Sequence, residues 1–283
     1  IQSGGFMKKA SKAIIQKHEE MFYPTVRVRT NKAGGSGTVV YSKVHDGEVY
    51  TYVVTNHHVI SECVQVEKKW DPVKKKKVDK EILDTVYVEY FKYNNYSHCI
   101  GSFAVEADIV AYSEVEGGQD WALLRTRDYE NEYGYVAKLF PLEDLDSIHI
   151  FDEVYAVGAS LGHPPIATEG HICYMDDEID HYKYWMSTAQ TIFGNSGGAC
   201  YRLSAERSGY EYIGVPSRIS VQPMGFSADA ITHMGYFIPI YRIYELFKEN
   251  GFQFIYDESL TPMECEEQKK AELESEEKEK NSS

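Results

Sequence analysis

The amino-acid sequence predicts an all-β fold arranged as a pair of barrels. Tyrosine is frequent, 23 of 283 residues, and β-branched and aromatic residues gather in short runs, the composition of pleated, half-buried strands. Those runs recur at regular spacing with turn residues between them, the pattern of barrels and sandwiches. The pattern is repeated in two similar halves, on either side of a charged stretch from Thr126 to Glu132. A chain of 283 residues accommodates one large domain or two small ones.

The elements follow in order. Lys8 to Phe22 reads as a short amphipathic helix, with Ala10, Ala13, Ile14, Lys17 and Met21 at helical spacing. From Pro24 the period changes to two. Thr25 to Arg29 alternates as a strand, Gly34 to Gly37 interrupts, and Thr38 to Tyr41 resumes. Asp46-Gly47 predicts a tight hairpin returning through Tyr50 to Thr55. Lys68 to Lys80, rich in lysine and containing Asp71-Pro72, reads as an exposed hairpin tip between Val64–Val66 and Ile82–Phe91. Further strands are expected at Ser102–Val105, Ile109–Tyr112 and Trp121–Arg125. In the second half they are expected at Glu153–Val157, His171–Tyr174, Trp185–Thr188, Gly198–Leu203, Tyr210–Val215 and Gly235–Ile240. Tyr241 to Glu249 reads as a closing helix that Gly251 stops. The expected division is an N-terminal extension over 1–21, barrels over 22–130 and 131–250, and an acidic tail over 251–283. From Glu264 that tail is either a charged helix or a disordered segment, and disorder is the reading its composition favours.

Lys and Arg number 29 against 44 Asp and Glu, a net charge of −15. Glu264 to Ser283 hold eight acids and four bases, so the body of the chain is acidic as well. Such a surface repels phosphate backbones, and no nucleic-acid partner is expected. No apolar run is long enough to span a membrane. No apolar core of a signal peptide follows the early lysines, and the five widely spaced cysteines suggest no disulfide framework. A reducing, cytoplasmic setting is therefore expected. Without a CxxC pair, and with His163, His171 and His181 scattered, no metal site is expected. Asp176-Asp-Glu178 reads as a solvated turn rather than a calcium loop, and Cys200 as buried core.

Three segments carry chemistry: Thr55-Asn-His-His-Val-Ile60 after a strand, Asp120-Trp-Ala-Leu-Leu-Arg125 at the start of one, and Phe193-Gly-Asn-Ser-Gly-Gly-Ala199. A serine hydroxyl is a weak nucleophile at neutral pH. It needs an imidazole to take its proton and return it to the leaving group. A carboxylate must hold that imidazole in one tautomer and stabilise the imidazolium. Fixed N–H donors must meet the developing oxyanion, and glycines beside a serine permit the turn that presents them. Loss of one such donor costs roughly 3–4 kcal/mol of barrier.

With these motifs the chain resembles the trypsin-like superfamily, most closely its HtrA/Deg branch. The segments that carry the resemblance are Gly35-Ser-Gly37, Thr55-Asn-His-His-Val59, Asp120-Trp-Ala-Leu-Leu124 and Gly194-Asn-Ser-Gly-Gly198. Leu139 to Gly162, Glu169 to Ile172, Tyr212 to Val215 and Gly235 to Pro239 extend it, so that it covers about residues 22 to 245. It implies two six-stranded antiparallel β-barrels with short N- and C-terminal helices. It also implies a serine endopeptidase acting through an acyl-enzyme, without a cofactor. His58 matches the general base, Asp120 the orienting carboxylate and Ser196 the nucleophile, leaving His57 a structural neighbour. Gly194, Asn195 and Ser196 match the oxyanion loop. Ser217 matches the position whose backbone lies beside that carboxylate and pairs with substrate.

The pocket for the residue before the cut is expected between Gln190–Phe193, Arg218–Ser220 and Gly235–Phe237. No acid lies in the first of these segments. Gln190, Ile192, Phe193, Ser217, Arg218, Ile219 and Phe237 are thus the candidate substrate contacts, suited to an aliphatic or small apolar side chain. Arg218 alternatively favours an acidic side chain nearby. The polypeptide substrate is expected as an extended strand beside Pro216 to Ser220. Asn195 stands where digestive relatives carry an aspartate, so activation by insertion of a new N-terminus is not expected. The stretch after Ile240 is shorter than the PDZ domain many HtrA/Deg proteins carry. The branch also implies a homo-oligomer, with the Lys8–Phe22 helix available for contacts. Three alternatives stay open: a narrow viral- or phage-type processing protease, a latent pseudo-protease that binds peptides, and an esterase.

Overall fold

A computed structural model describes residues 10–73, 75–113, 119–191, 194–224 and 227–282. Six strands close the first barrel: β1 (Thr25–Arg29), β2 (Gly34–His45), β3 (Glu48–Thr55), β6 (Val86–Asn94), β7 (His98–Tyr112) and β8 (Ala122–Thr126). Around it they run β1-β2-β3-β8-β7-β6. Between β3 and β6 stands a separate two-stranded ribbon, β4 (Val64–Asp71) and β5 (Lys76–Leu83). The second barrel is built from β9 (Glu153–Gly158), β10 (Ile166–Ile179), β11 (Tyr182–Ser187), β12 (Ala199–Ser204), β13 (Gly209–Met224) and β14 (Ser227–Pro239). It closes in the order β10-β11-β14-β13-β12-β9.

The β2–β3 hairpin forms where Asp46-Gly47 places it, with φ of 51° and 82° at the two residues, the conformation of the favoured two-residue turn. The glycines of Gly34–Gly37 do not interrupt β2 as expected. They pair with Arg29 through Val26 of β1. At Gly37 a Cβ would sit 2.6 Å from Val53 Cγ1 and 2.8 Å from Val28 Cγ2, so glycine serves close approach inside the barrel rather than a break. Ser102–Val105 and Ile109–Tyr112 likewise belong to one strand, β7, which shifts register between Ile109 and Ala111. Asp176-Asp-Glu178 is also strand, with Asp177 opposite Tyr184. The turn falls at Asp180-His181, both at positive φ.

Val26, Val28, Val39, Val53, Val88 and Leu124 fill the first barrel. A larger cluster joins the second barrel to the outer face of the first through Tyr41, Tyr52, Trp121 and Leu123. Helix α3 (Ile240–Glu249) closes that seam, with Phe247 edge-on to Trp121 at 6.0 Å. Full burial of a side chain such as Phe247 or Leu123 contributes roughly 1.5–3 kcal/mol, and both are wholly buried.

Of the N-terminal helix, Lys8 and Lys9 lie outside the described residues. Helix α1 spans Lys12–Lys17, capped by Ser11, and widens into a π-turn over His18–Phe22 that buries Met21. Two further helices are α2 (His57–Ile60), described below, and α4 (Pro262–Ser282). The 251–283 segment, expected as an acidic disordered tail, is therefore helical over most of its length. Thr261 and Glu264 cap it reciprocally: Glu264 N donates to Thr261 Oγ1 at 3.2 Å and Thr261 N to Glu264 Oε2 at 2.8 Å. Cys265 and Phe254 anchor its start in the core. No described helix is long and apolar enough to cross a membrane.

Candidate active site

His58 comes from the first barrel. Helix α2 follows β3 directly, and Val59 and Ile60 bury its far side. That burial splits the two histidines. His57 is 3% exposed, while the His58 side chain is 49% exposed. Asp120 faces α2 from the chain just ahead of β8. It lies outside the strands, at φ 49°, and its carboxylate reaches the helix. His58 N donates to Asp120 Oδ1 at 3.0 Å, and His58 Nδ1 bonds Asp120 Oδ2 at 2.8 Å. Asn56 Nδ2 holds the Asp120 carbonyl at 2.8 Å.

The second barrel adds Ser217, whose hydroxyl also donates to Asp120 Oδ2. The family resemblance implies a backbone role for Ser217, and the structure adds this side-chain bond. A register shift explains it. Pro216 pairs with Phe237 and Arg218 with Tyr236, which leaves Ser217 out of the ladder and able to face the carboxylate. Burial works to raise the Asp120 pKa, but the bonds from His58 and Ser217 outweigh it and hold the carboxyl below its ordinary value. For His57, burial lowers the pKa, against a smaller opposing bond with the Ser113 backbone.

Ser196 sits on a turn bounded by Gly194 at φ 97° and Gly197 at φ 84°. A Cβ at Gly197 would lie 2.1 Å from Ser36 O, so only glycine fits. Ser36 clamps this turn to the first barrel. Its N–H donates to Ser196 O at 2.8 Å and its hydroxyl to Gly194 O at 2.5 Å. Ala159 N donates to the same hydroxyl at 2.7 Å, and Thr55 Oγ1 to Ser36 O at 2.8 Å. Gly35-Ser-Gly37 is legible as a motif in the sequence, but nothing local reveals Ser36 as the clamp.

Gly197 N donates to Pro216 O and Gly198 N to Asn195 O. Among the described residues, the N–H groups of Gly194 and Ser196 have no acceptor. Asn195 is 4% exposed, and its Oδ1 has no partner among the described residues. The Ser196 hydroxyl donates to Ser217 O at 3.5 Å rather than to His58.

The expected pocket is only partly described. Ile192 and Phe193 lie outside the described residues. Gln190 is exposed, and its carbonyl accepts from Thr168 Oγ1 at 2.7 Å. Arg218 and Ile219 are placed by register opposite Tyr236 and Gly235. Phe237 is 2% exposed and packs edge-on to Trp185 at 5.9 Å in the barrel core. Thr191 lies in the Gln190–Phe193 segment expected to wall the pocket, although it is not among the named contacts. It is 5% exposed, its hydroxyl has no partner among the described residues, and a Cβ on Gly235 would lie 2.3 Å from it. All five cysteines are free, and burial pushes the Cys200 thiol up. Among the described residues, no three metal-binding side chains converge.

A comparison with curated proteins finds no match. Among solved structures, the HtrA-type protease AlgW with a tripeptide superposes with a TM-score of 0.55 at 18% identity, over 88% of this chain and 65% of that one. The serine endoprotease from Yersinia pestis gives 0.53 at 19%, over 85% and 67%. Deg5 gives 0.54 at 16%, over 84% and 95%. The chain thus spans less than two thirds of the AlgW chain, and these likenesses concern the fold. The model of the trypsin-like peptidase domain matches residues 35–207, which include all three chemical segments. The chain belongs to the trypsin-like peptidase domain family.

Proposed function

We propose that the chain is a serine endopeptidase in which Ser196 attacks the peptide carbonyl. His58 takes the hydroxyl proton and returns it to the leaving amine. Asp120 keeps the imidazole in the tautomer with Nδ1 protonated and stabilises the imidazolium. The N–H groups of Gly194 and Ser196, on the loop through Asn195, receive the oxyanion. Water then releases the acyl group from Ser196. The substrate lies as an extended strand along Pro216 to Ser220.

The observation that carries this reading is the Asp120 carboxylate, held by His58 from one barrel and Ser217 from the other. Family membership supports the hydrolytic class. Attack requires the Ser196 hydroxyl to turn from Ser217 O toward His58. That same orientation favours a second reading, a latent site that binds peptides without cutting them. A fluorophosphonate probe separates the two. Labelling of the wild type that vanishes in Ser196→Ala is the expected result. A wild type that stays unlabelled while binding peptide would establish the latent site instead.

A further inference from the structure

The β4–β5 ribbon is unlike the rest of the molecule. Its strands pair only with each other among the described residues, and most positions in them are exposed and none is buried. A two-stranded ribbon alone is marginal in water. Yet this one displays Val66 at 63%, Trp70 at 62% and Val73 at 87% exposure. Strand alternation puts Val66, Lys68 and Trp70 on one face, where Trp70 stands opposite Lys77 and Val66 opposite Glu81.

Charge sets the ribbon apart as well. Residues 64–83 carry seven lysines against four acids, within a chain of net charge −15. The remainder of the chain is therefore more negative than the whole. An acidic polypeptide is repelled by that remainder and attracted here, which steers and orients it.

The ribbon also borders the site. Its root follows His58 through the Ser61–Cys63 turn, and Asp84 N donates to Cys63 O at 2.8 Å across its base. On β5, Glu81 accepts from Tyr112 Oη, and the Tyr112 ring lies 5.1 Å from that of His57.

The geometry points to the β4–β5 ribbon as a docking arm for an acidic stretch of the protein substrate, outside the segment held in the cleft. Lys75, Lys76 and Lys77 supply the charge and Trp70 the apolar contact. This assignment rests on the endopeptidase reading for its purpose, and its test is independent of cleavage. Ser196→Ala protein is titrated with a fluorescein-labelled peptide of alternating Glu and Val, read by anisotropy. Reversing Lys75, Lys76 and Lys77 to Glu is expected to weaken binding by about tenfold or more, since each exposed pair contributes modestly. Trp70→Ala, at an exposed position, should weaken it as well without unfolding the barrels. Added salt should weaken binding of the unreversed protein. Equal binding by the charge-reversed and Trp70→Ala proteins, compared with the unreversed one, would overturn the assignment. So would equally tight binding of a Lys/Val peptide, or displacement of the Glu/Val peptide by phosphatidylserine vesicles. A wild type that resists fluorophosphonate would undo the proteolytic reading and leave the binding result standing.

Discussion

His57 and His58 are chain neighbours that the fold sends to opposite environments. Val59 and Ile60 pin α2 to the barrel, which turns His57 inward and leaves His58 at the cleft. The inward histidine has a consequence for stability. Its pKa is lowered by burial, so near its unfolded value of about 6.5 the unfolded chain binds a proton that the folded chain does not. Stability therefore falls as pH drops through about 6.5 toward the lower folded value. His57→Asn removes this linkage. Its melting temperature should lose less between neutral and mildly acidic pH than that of the wild type, measured by calorimetry. An equal loss in both would contradict the assignment. Asp120 has the opposite sign of charge but the same direction: a lowered carboxyl pKa adds stability above its unfolded value that is lost as pH falls through the folded one.

At the level of elements, α4 depends on how it starts. Thr261 caps it, and Cys265 lies buried one turn on. Thr261→Ala should cost about 1 kcal/mol, read as a fall in helicity with the barrels intact, and unchanged helicity would show that the cap is idle. The Thr261–Glu264 spacing is legible in the sequence, but the charged composition after it argues for disorder and outweighs it. Asp46-Gly47 is legible because a two-residue turn is a local matter. Gly34–Gly37 misleads because the reason for its glycines is not local. The close neighbours of Gly37 are Val53 and Val28, brought near by barrel closure. The position of Ser217 has the same origin, in a register shift against β14 that no periodicity reveals.

Across the whole molecule, the candidate site forms where the two barrels meet. The first supplies His58 and Asp120, and the second supplies Ser217 and the Ser196 turn. Ser36 crosses the seam to clamp that turn. The three chemical segments are identifiable from residue types and order, and the fold brings His58 and Asp120 into contact. Strand order around each barrel is not legible, because it depends on pairings distant in sequence such as β1 with β6. The β4–β5 hairpin is legible, because its pairing is local, although its strands run closer to the tip, to Asp71 and from Lys76, than the sequence suggests. In the proposed mechanism Ser196 forms an acyl-enzyme with His58 as its base. The direct measurement is mass spectrometry of the intact protein, acid-quenched during turnover of an activated peptide ester and then mapped by digestion. An acyl adduct on Ser196 that is lost in Ser196→Ala is expected. Undiminished hydrolysis by Ser196→Ala, or an adduct on another residue, would contradict it.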